Sequence, residues 1–300
     1  MITVLGSTNL DLIGTVSRIP KPGETVPGRE FSMAAGGKGA NQALAARRAG
    51  AEMRMFAAAG SDSFAIEALK LLRADGVDLT HVRTVAGATG IAMIFVDEAG
   101  ENVIAILPGA NGTMGPADAD AALAGLGIGS VLMLQQEIPQ PATERALELA
   151  KAQGVVSILN TAPFLPTTRA VAEKASIVIA NETEFELLTG AGLDRLDAAM
   201  ADWAKSQNQT VIVTLGPDGA RAATPTGSFA VPALKVDPVD TVGAGDTFCG
   251  YLAAGLDRGL DLESAMRRAA VAASLAVLKP GAQPAVPYAA EVEKALGQTA

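Results

Sequence analysis

Six short, near-continuous apolar runs punctuate the chain at Ile2–Leu5, Met53–Ala57, Val131–Leu134, Val155–Leu159, Ile177–Ile179 and Val211–Leu215. Strands that face solvent on one side alternate apolar with polar residues; runs like these belong to strands covered on both faces, and they predict a mainly parallel sheet between layers of helices. Alanine-rich segments with glycine stops lie between the runs, as in Ala40–Ala49 before Gly50 and Ala142–Gln153 before Gly154. Parallel strands joined through helices take right-handed crossovers, so the expected core is a doubly wound α/β sheet.

Residues 10–35 and 87–109 break this rhythm. They read as short alternating strands turning at Pro22-Gly23 and at Glu98-Ala99-Gly100, the pattern of antiparallel hairpins. The expectation is a small separate β-sheet, a candidate lid, inserted into one core built from 1–9, 36–86 and 110–300. No repeat and no low-complexity tether divides the chain, so 1–300 is expected to form one domain.

Composition narrows the chemistry. With 49% hydrophobic residues in 300, a large core needs no staples, and the one cysteine, Cys249, permits no intramolecular disulfide or cysteine-based zinc site. Cys249 sits in the helical pattern Cys249–Leu256, where a small buried residue is expected rather than a nucleophile. The one histidine, His81, ends the polar turn Asp78-Leu79-Thr80-His81 and is expected at the surface, which leaves no Ser-His-Asp constellation. A net charge of −9, with no basic run longer than Arg47-Arg48 or Arg267-Arg268, argues against nucleic acid; an anionic ligand must be held locally. The N-terminus lacks a basic signal region, and Ala269–Leu278 is too short to span a bilayer. A soluble, cytoplasmic protein without a membrane partner is the expectation.

Two glycine segments carry candidate chemistry. In Val239–Phe248, the small residues Gly243, Ala244 and Gly245 allow a tight turn into a helix, so that successive N–H groups converge on an anion such as a transferring phosphoryl group. Asp246 then stands in the first helical turn, where it could accept a proton from an attacking hydroxyl or simply cap the helix. The second segment, Ala34–Ala43, is not a Walker A loop, because Gly39 follows Lys38, and it fails the dinucleotide fingerprint, because Gln42 stands where the third glycine belongs. It remains a close-approach loop whose Asn41, one turn after Gly37, can offer an amide to a ligand hydroxyl.

Together with Val4–Asp11, Pro22–Thr25, Gly100–Ile104, Asn181–Glu184 and Gly281–Pro284, these segments make nearly the whole chain resemble the ribokinase-like carbohydrate kinase family. That resemblance implies an α/β core with a β lid and ATP-dependent phosphorylation of a small sugar at its terminal hydroxyl, D-ribose first; another sugar or a nucleoside, or a non-catalytic sugar-binding regulator, are the alternatives. It implies that Asn9, Asp11, Gly37, Asn41 and Glu137 grip the sugar, that Lys38 screens phosphate charge unless it is merely solvated, and that Asp246 is the base beside the 243–245 amides. Asn181, Thr214, Gly216, Gly219 and Gly245 are implied on the ATP side, and Glu184 as an indirect Mg²⁺ ligand through water, although Asn181 and Glu184 also suit a plain helix cap. Potassium is implied beside the anion loop, held by the Asp240 carboxylate and the carbonyls of Val242, Ala276, Lys279 and Gly281, with Ala285 where the family usually has a serine. A homodimer through the lid, whose Ile91, Met93, Ile94 and Phe95 are apolar, is the implied assembly.

Overall fold

The computed structural model describes residues 1–299. Its strands are β1 (Ile2–Leu5), β2 (Asn9–Val16), β3 (Gly28–Gly36), β4 (Met53–Gly60), β5 (Val82–Val85), β6 (Gly90–Val96), β7 (Asn102–Leu107), β8 (Val131–Leu134), β9 (Val156–Asn160), β10 (Ile177–Asn181), β11 (Thr210–Thr214), β12 (Ala220–Thr224) and β13 (Gly227–Val231). The helices are α1 (Lys38–Arg48), α2 (Phe64–Ala68), α3 (Lys70–Ala74), α4 (Pro116–Leu123), α5 (Gln140–Gln153), α6 (Thr168–Ala172), α7 (Glu182–Thr189), α8 (Leu196–Gln207), α9 (Ala244–Asp257), α10 (Leu262–Ala276) and α11 (Ala289–Thr299).

Nine strands form the main sheet in the order β13-β12-β11-β10-β9-β8-β1-β4-β5. Every neighbouring pair is parallel except β11–β12 and β12–β13, which close one edge as an antiparallel meander. All six apolar runs lie in this sheet, and successive residues in them face opposite layers. Val131 and Met133 of β8 join the core under α1, α9 and α10, whereas Leu132 and Leu134 join the core under α4, α5 and α7. That two-sided burial is why the runs are continuously apolar. Weaker patterns hid β5, β12 and β13: β12 is alanine-rich around Arg221, β13 opens on Gly227-Ser228, and the Pro225-Thr226 turn joins the two.

The strand order reverses at β1, which has β4 on one side and β8 on the other, so the crevice beyond the carboxyl ends of β1 and β8 is a topological switch point. A second sheet, β3-β2-β6-β7, rises beside it. The hairpin expectation needs one amendment: β2–β3 and β6–β7 are antiparallel, but the central β2–β6 pair is parallel, so two hairpins are joined side by side into one sheet. Its exposed apolar residues include Phe31, Met33, Met93, Phe95 and Ile104. Among the described residues, no helix is long and apolar enough to cross a membrane.

Candidate active site

The switch point brings the two glycine segments together. Gly37 precedes α1 with φ 87°, and a Cβ there would meet the Asn9 backbone nitrogen at 2.7 Å, so only glycine lets the helix start this close to the chain leaving β1. Glu137, just past β8, closes the arrangement. Its Oε2 accepts from the Lys38 amide at 3.0 Å and from the Ser7 hydroxyl at 2.6 Å, while Ser7 Oγ accepts from the Gly39 amide at 3.2 Å. A carboxylate on the first amide of α1 also complements the positive end of the helix dipole.

The other segment begins α9. Gly243 holds φ 77°, and a Cβ there would fall 2.8 Å from Ala282 Cα, so the turn into the helix requires glycine. The Ala244 amide turns back to the Thr241 carbonyl at 3.3 Å; those of Gly245 and Asp246 have no backbone acceptor among the described residues and open the helix towards the cavity. Asp246 is buried. Its Oδ2 accepts from Asn41 Nδ2 and its Oδ1 from Gln42 Nε2, each at 2.9 Å. These contacts are possible because α1 and α9 nearly touch: a Cβ on Gly250 would meet the Ala46 nitrogen at 2.7 Å. Cys249, one turn on, is fully buried, and burial followed by the Asp246 charge pushes its thiol well up, which leaves it inert.

Asp11 enters from β2, opposite Ala34 of β3, and packs against Gly36, where a Cβ would overlap its carboxylate. Burial, with the negative charges of Glu137 and Asp246, raises Asp11 from 3.8 to about 7, while Lys38 pulls the other way. Asn9 lies two residues earlier and is buried. Its Oδ1 accepts from Asn111 Nδ2 at 2.7 Å, and Asn111 is fixed in turn by both backbone groups of Thr8. The oxygen of Asn9 is thus occupied, and its amide nitrogen is the group left to donate.

A cavity of about 200 Å³ adjoins Asp246. Its lining includes Lys38, Asn160, Asn181, Glu184, Thr214 and the Gly243–Asp246 turn. Lys38 is therefore not a solvated surface residue: burial lowers its basicity, but Asp246, Glu137 and Glu184 outweigh that and raise it, so it stays a cation. Asn181 and Glu184 form a reciprocal cap on α7, and Glu184 Oε2 also accepts from Thr161 Oγ1 at 2.8 Å. Both bonds to Glu184 fall on Oε2, so capping and a free Oε1 coexist. Thr214 ends β11 beside the cavity, and Gly216 opens the 3-10 turn that follows. Gly219 closes that turn against the Val231–Ala233 backbone and does not line the cavity; its φ of 87° serves the β11–β12 connection.

Beyond Gly243, Asp240 ties two loops together, accepting from the Val242 amide at 3.0 Å and the Gly281 amide at 2.7 Å. The carbonyls of Val242, Lys279 and Gly281 accept no hydrogen bond among the described residues, while that of Ala276 accepts a long one from Lys279 at 3.3 Å. Ala285 is buried nearby in sequence, and His81 stays exposed, stacked on Phe56 at 4.2 Å.

The structure thus bonds Asn41 to Asp246 and sets Lys38 on the same cavity, with Glu137 and Asp11 close enough to perturb charge in that region. Sequence reasoning missed Gln42, Gln135, Asn111 and Asn160, each of which bonds to or lines the site. In the sequence Gln42 stands out only as the residue that spoils a nucleotide fingerprint; its partner Asp246 lies 204 positions away, and no local pattern announces it.

Comparison with known proteins identifies the chain's family and fold. The profile of the "pfkB family carbohydrate kinase" matches residues 1–289. A ribokinase of Staphylococcus aureus is 37% identical over 300 residues, covering 98% of each chain, and a deoxyribokinase of Salmonella typhi is 36% identical over 291 residues, covering 95% of each. Among solved structures, an Arabidopsis thaliana ribokinase complexed with ribose and ATP superposes with a TM-score of 0.88 at 30% identity, covering 98% of both chains.

Proposed function

The chain belongs to the pfkB family of carbohydrate kinases and is an ATP-dependent sugar kinase; we propose that it transfers the γ-phosphoryl group of ATP to the terminal hydroxyl of D-ribose, giving D-ribose 5-phosphate. The observation that carries this reading is Asp246: a buried carboxylate in the first turn of α9, next to unbonded helix amides and a cavity lined by Lys38 and Glu184.

Asp246 accepts the proton of the attacking hydroxyl as its oxygen meets the γ-phosphorus in line. A loose transition state moves that proton late, so a carboxylate suffices as base. The amides of Gly245 and Asp246 and the Lys38 ammonium face the charge that spreads over the phosphoryl oxygens. Asp11 accepts from two sugar hydroxyls, Asn9 donates through its amide nitrogen, and Glu137, Gly37 and Asn41 complete the sugar pocket. Asn181, Thr214 and Gly216 face the nucleotide, with Gly219 supporting them from behind.

No group of three or more His, Cys, Asp or Glu side chains that could hold a metal occurs among the described residues. A single carboxylate with one uncommitted oxygen, Glu184 Oε1, suits Mg²⁺, which keeps several waters and is reached through them. Bound there with the nucleotide, the ion supplies charge neutralisation at the phosphates. The unbonded carbonyls of Val242, Lys279 and Gly281, with Asp240 and Ala276, are the oxygen donors a potassium ion takes, and would brace the anion turn.

The β3-β2-β6-β7 sheet acts as the lid that excludes water, and its exposed apolar face pairs with a second copy to form a homodimer. A cytoplasmic kinase fits the single buried cysteine and the ATP requirement. The test is an ATP-coupled assay across D-ribose, 2-deoxyribose, hexoses and nucleosides, with the product identified by phosphorus NMR. The highest kcat/KM is expected for D-ribose with phosphate on O5; a preference for 2-deoxyribose or a nucleoside overturns the substrate assignment.

A further inference from the structure

Gln42 makes more of α1 than a hydroxyl-binding helix. Its side chain is 1% exposed, and its amide nitrogen donates to Asp246 Oδ1 at 2.9 Å and reaches Asn160 Oδ1 at 3.3 Å. Its amide oxygen accepts from Gln135 Nε2 at 2.7 Å. Gln135, one residue past β8, is also buried, and its own oxygen has no partner.

The polarity of this chain of amides is forced from one end. An ionised carboxylate only accepts hydrogen bonds, so Gln42 must present its NH₂ to Asp246 and its oxygen to Gln135. Gln135 must then present its own NH₂ to Gln42, which strands its oxygen beside Gly6. The row leaves the buried Gln135 oxygen without a partner, a cost in stability that the row carries in order to keep a donor on the Asp246 carboxylate. What the row does achieve is to set the rotation of the Asp246 carboxylate: Asn41 holds Oδ2, Gln42 holds Oδ1, and Gln135 keeps Gln42 from turning.

We propose that Gln42 is the positioning residue for Asp246, and that Gln135 orients Gln42 and acts only through it. The inference rests on the reading of Asp246 as the base. Gln42 does not line the cavity, so it acts through Asp246 and fixes the lone pair that meets the attacking hydroxyl. Small errors in the placement of a reacting group cost far more in turnover than in binding.

The test uses Gln42→Met, which keeps volume and removes the donor, with Gln135→Met and the double variant, measuring kcat and ribose KM under saturating ATP. Gln42→Met should lower kcat by roughly 10- to 100-fold with KM within about twofold. Gln135→Met alone should lower kcat by about 3- to 10-fold, and in the Gln42→Met background it should add nothing, since its partner is gone. Ribose binding by calorimetry shows that each variant is folded, and Gln135→Met stands alone as the test if Gln42→Met does not fold. Turnover of Gln42→Met within twofold of wild type overturns the proposal, as does a Gln135→Met effect that multiplies undiminished in the double variant. Asp246→Asn separates the layers: if it too turns over normally, the reading of the base fails, whereas a dead Asp246→Asn beside an active Gln42→Met defeats only the role of Gln42.

Discussion

Asp11→Asn is expected to stabilise the empty protein while weakening its hold on sugar. Asn keeps the shape of the side chain and removes the charge that burial and the neighbouring carboxylates Glu137 and Asp246 make costly. The folded protein holds the Asp11 proton up to about pH 7, whereas the unfolded chain releases it near 3.8. Between those values the native state carries more protons than the unfolded state, so this group's contribution to stability declines as pH rises through the window and is flat above it. A displacement from 3.8 to about 7 corresponds to a native-state penalty on the order of 4 kcal/mol above pH 7, an upper bound because the new amide must itself find partners. For a chain of this length each kcal/mol moves the melting point by about 2 °C, so the gain approaches about 8 °C. Thermal melts of wild type and Asp11→Asn at pH 4 and pH 8 provide the assay. The two proteins should melt together at pH 4, with the variant higher at pH 8, and calorimetry should show weaker ribose binding by the variant. In wild type, the ribose KM should rise as pH drops below about 7, approaching tenfold per unit. A melting difference that does not grow with pH refutes the desolvation argument, and an unchanged ribose Kd removes Asp11 from the pocket.

Gly243→Ala forces a side chain into φ 77° and against Ala282, so the anion turn should distort and kcat fall by about 10- to 100-fold, with ribose affinity preserved; steady-state kinetics with ribose calorimetry check this, and normal kcat contradicts it. Potassium should activate, read as initial rate against KCl at ionic strength held constant with choline chloride, with half-activation at higher concentration than in relatives carrying serine where this chain has the buried Ala285. Ala285→Ser should lower that requirement, and equal rates in choline and potassium would leave Asp240 with only its two loop-bracing hydrogen bonds.

How much of this could be read in advance follows from the range of the interactions. Burial on both faces writes itself into adjacent residues, so β1, β8 and β11 stand out, whereas β12 carries Arg221 among alanines and β13 is largely exposed, and neither holds a comparable apolar run. The φ demands of Gly37 and Gly243 are local, and so both turns were legible as glycine segments opening helices. Contacts across the switch point are not local. Nothing near Asn111 in sequence shows that it fixes the Asn9 amide, and nothing near Lys38 shows that the charges of Asp246, Glu137 and Glu184 act on its ammonium, which decides between a solvated lysine and a cation held at the site. The likeness of several motifs to a known family supplied Asp11 and Glu137, which no spacing argument would have joined to Asp246.

The central claim is that Asp246 takes the proton of the attacking sugar hydroxyl beside the amides of the α9 turn. Asp246→Asn keeps the side chain's shape, so turnover with saturating ATP and ribose, alongside ribose binding by calorimetry, tests it most directly. The expected result is a kcat lowered by about 10² to 10⁴ with ribose still bound; a kcat near that of wild type would contradict the account.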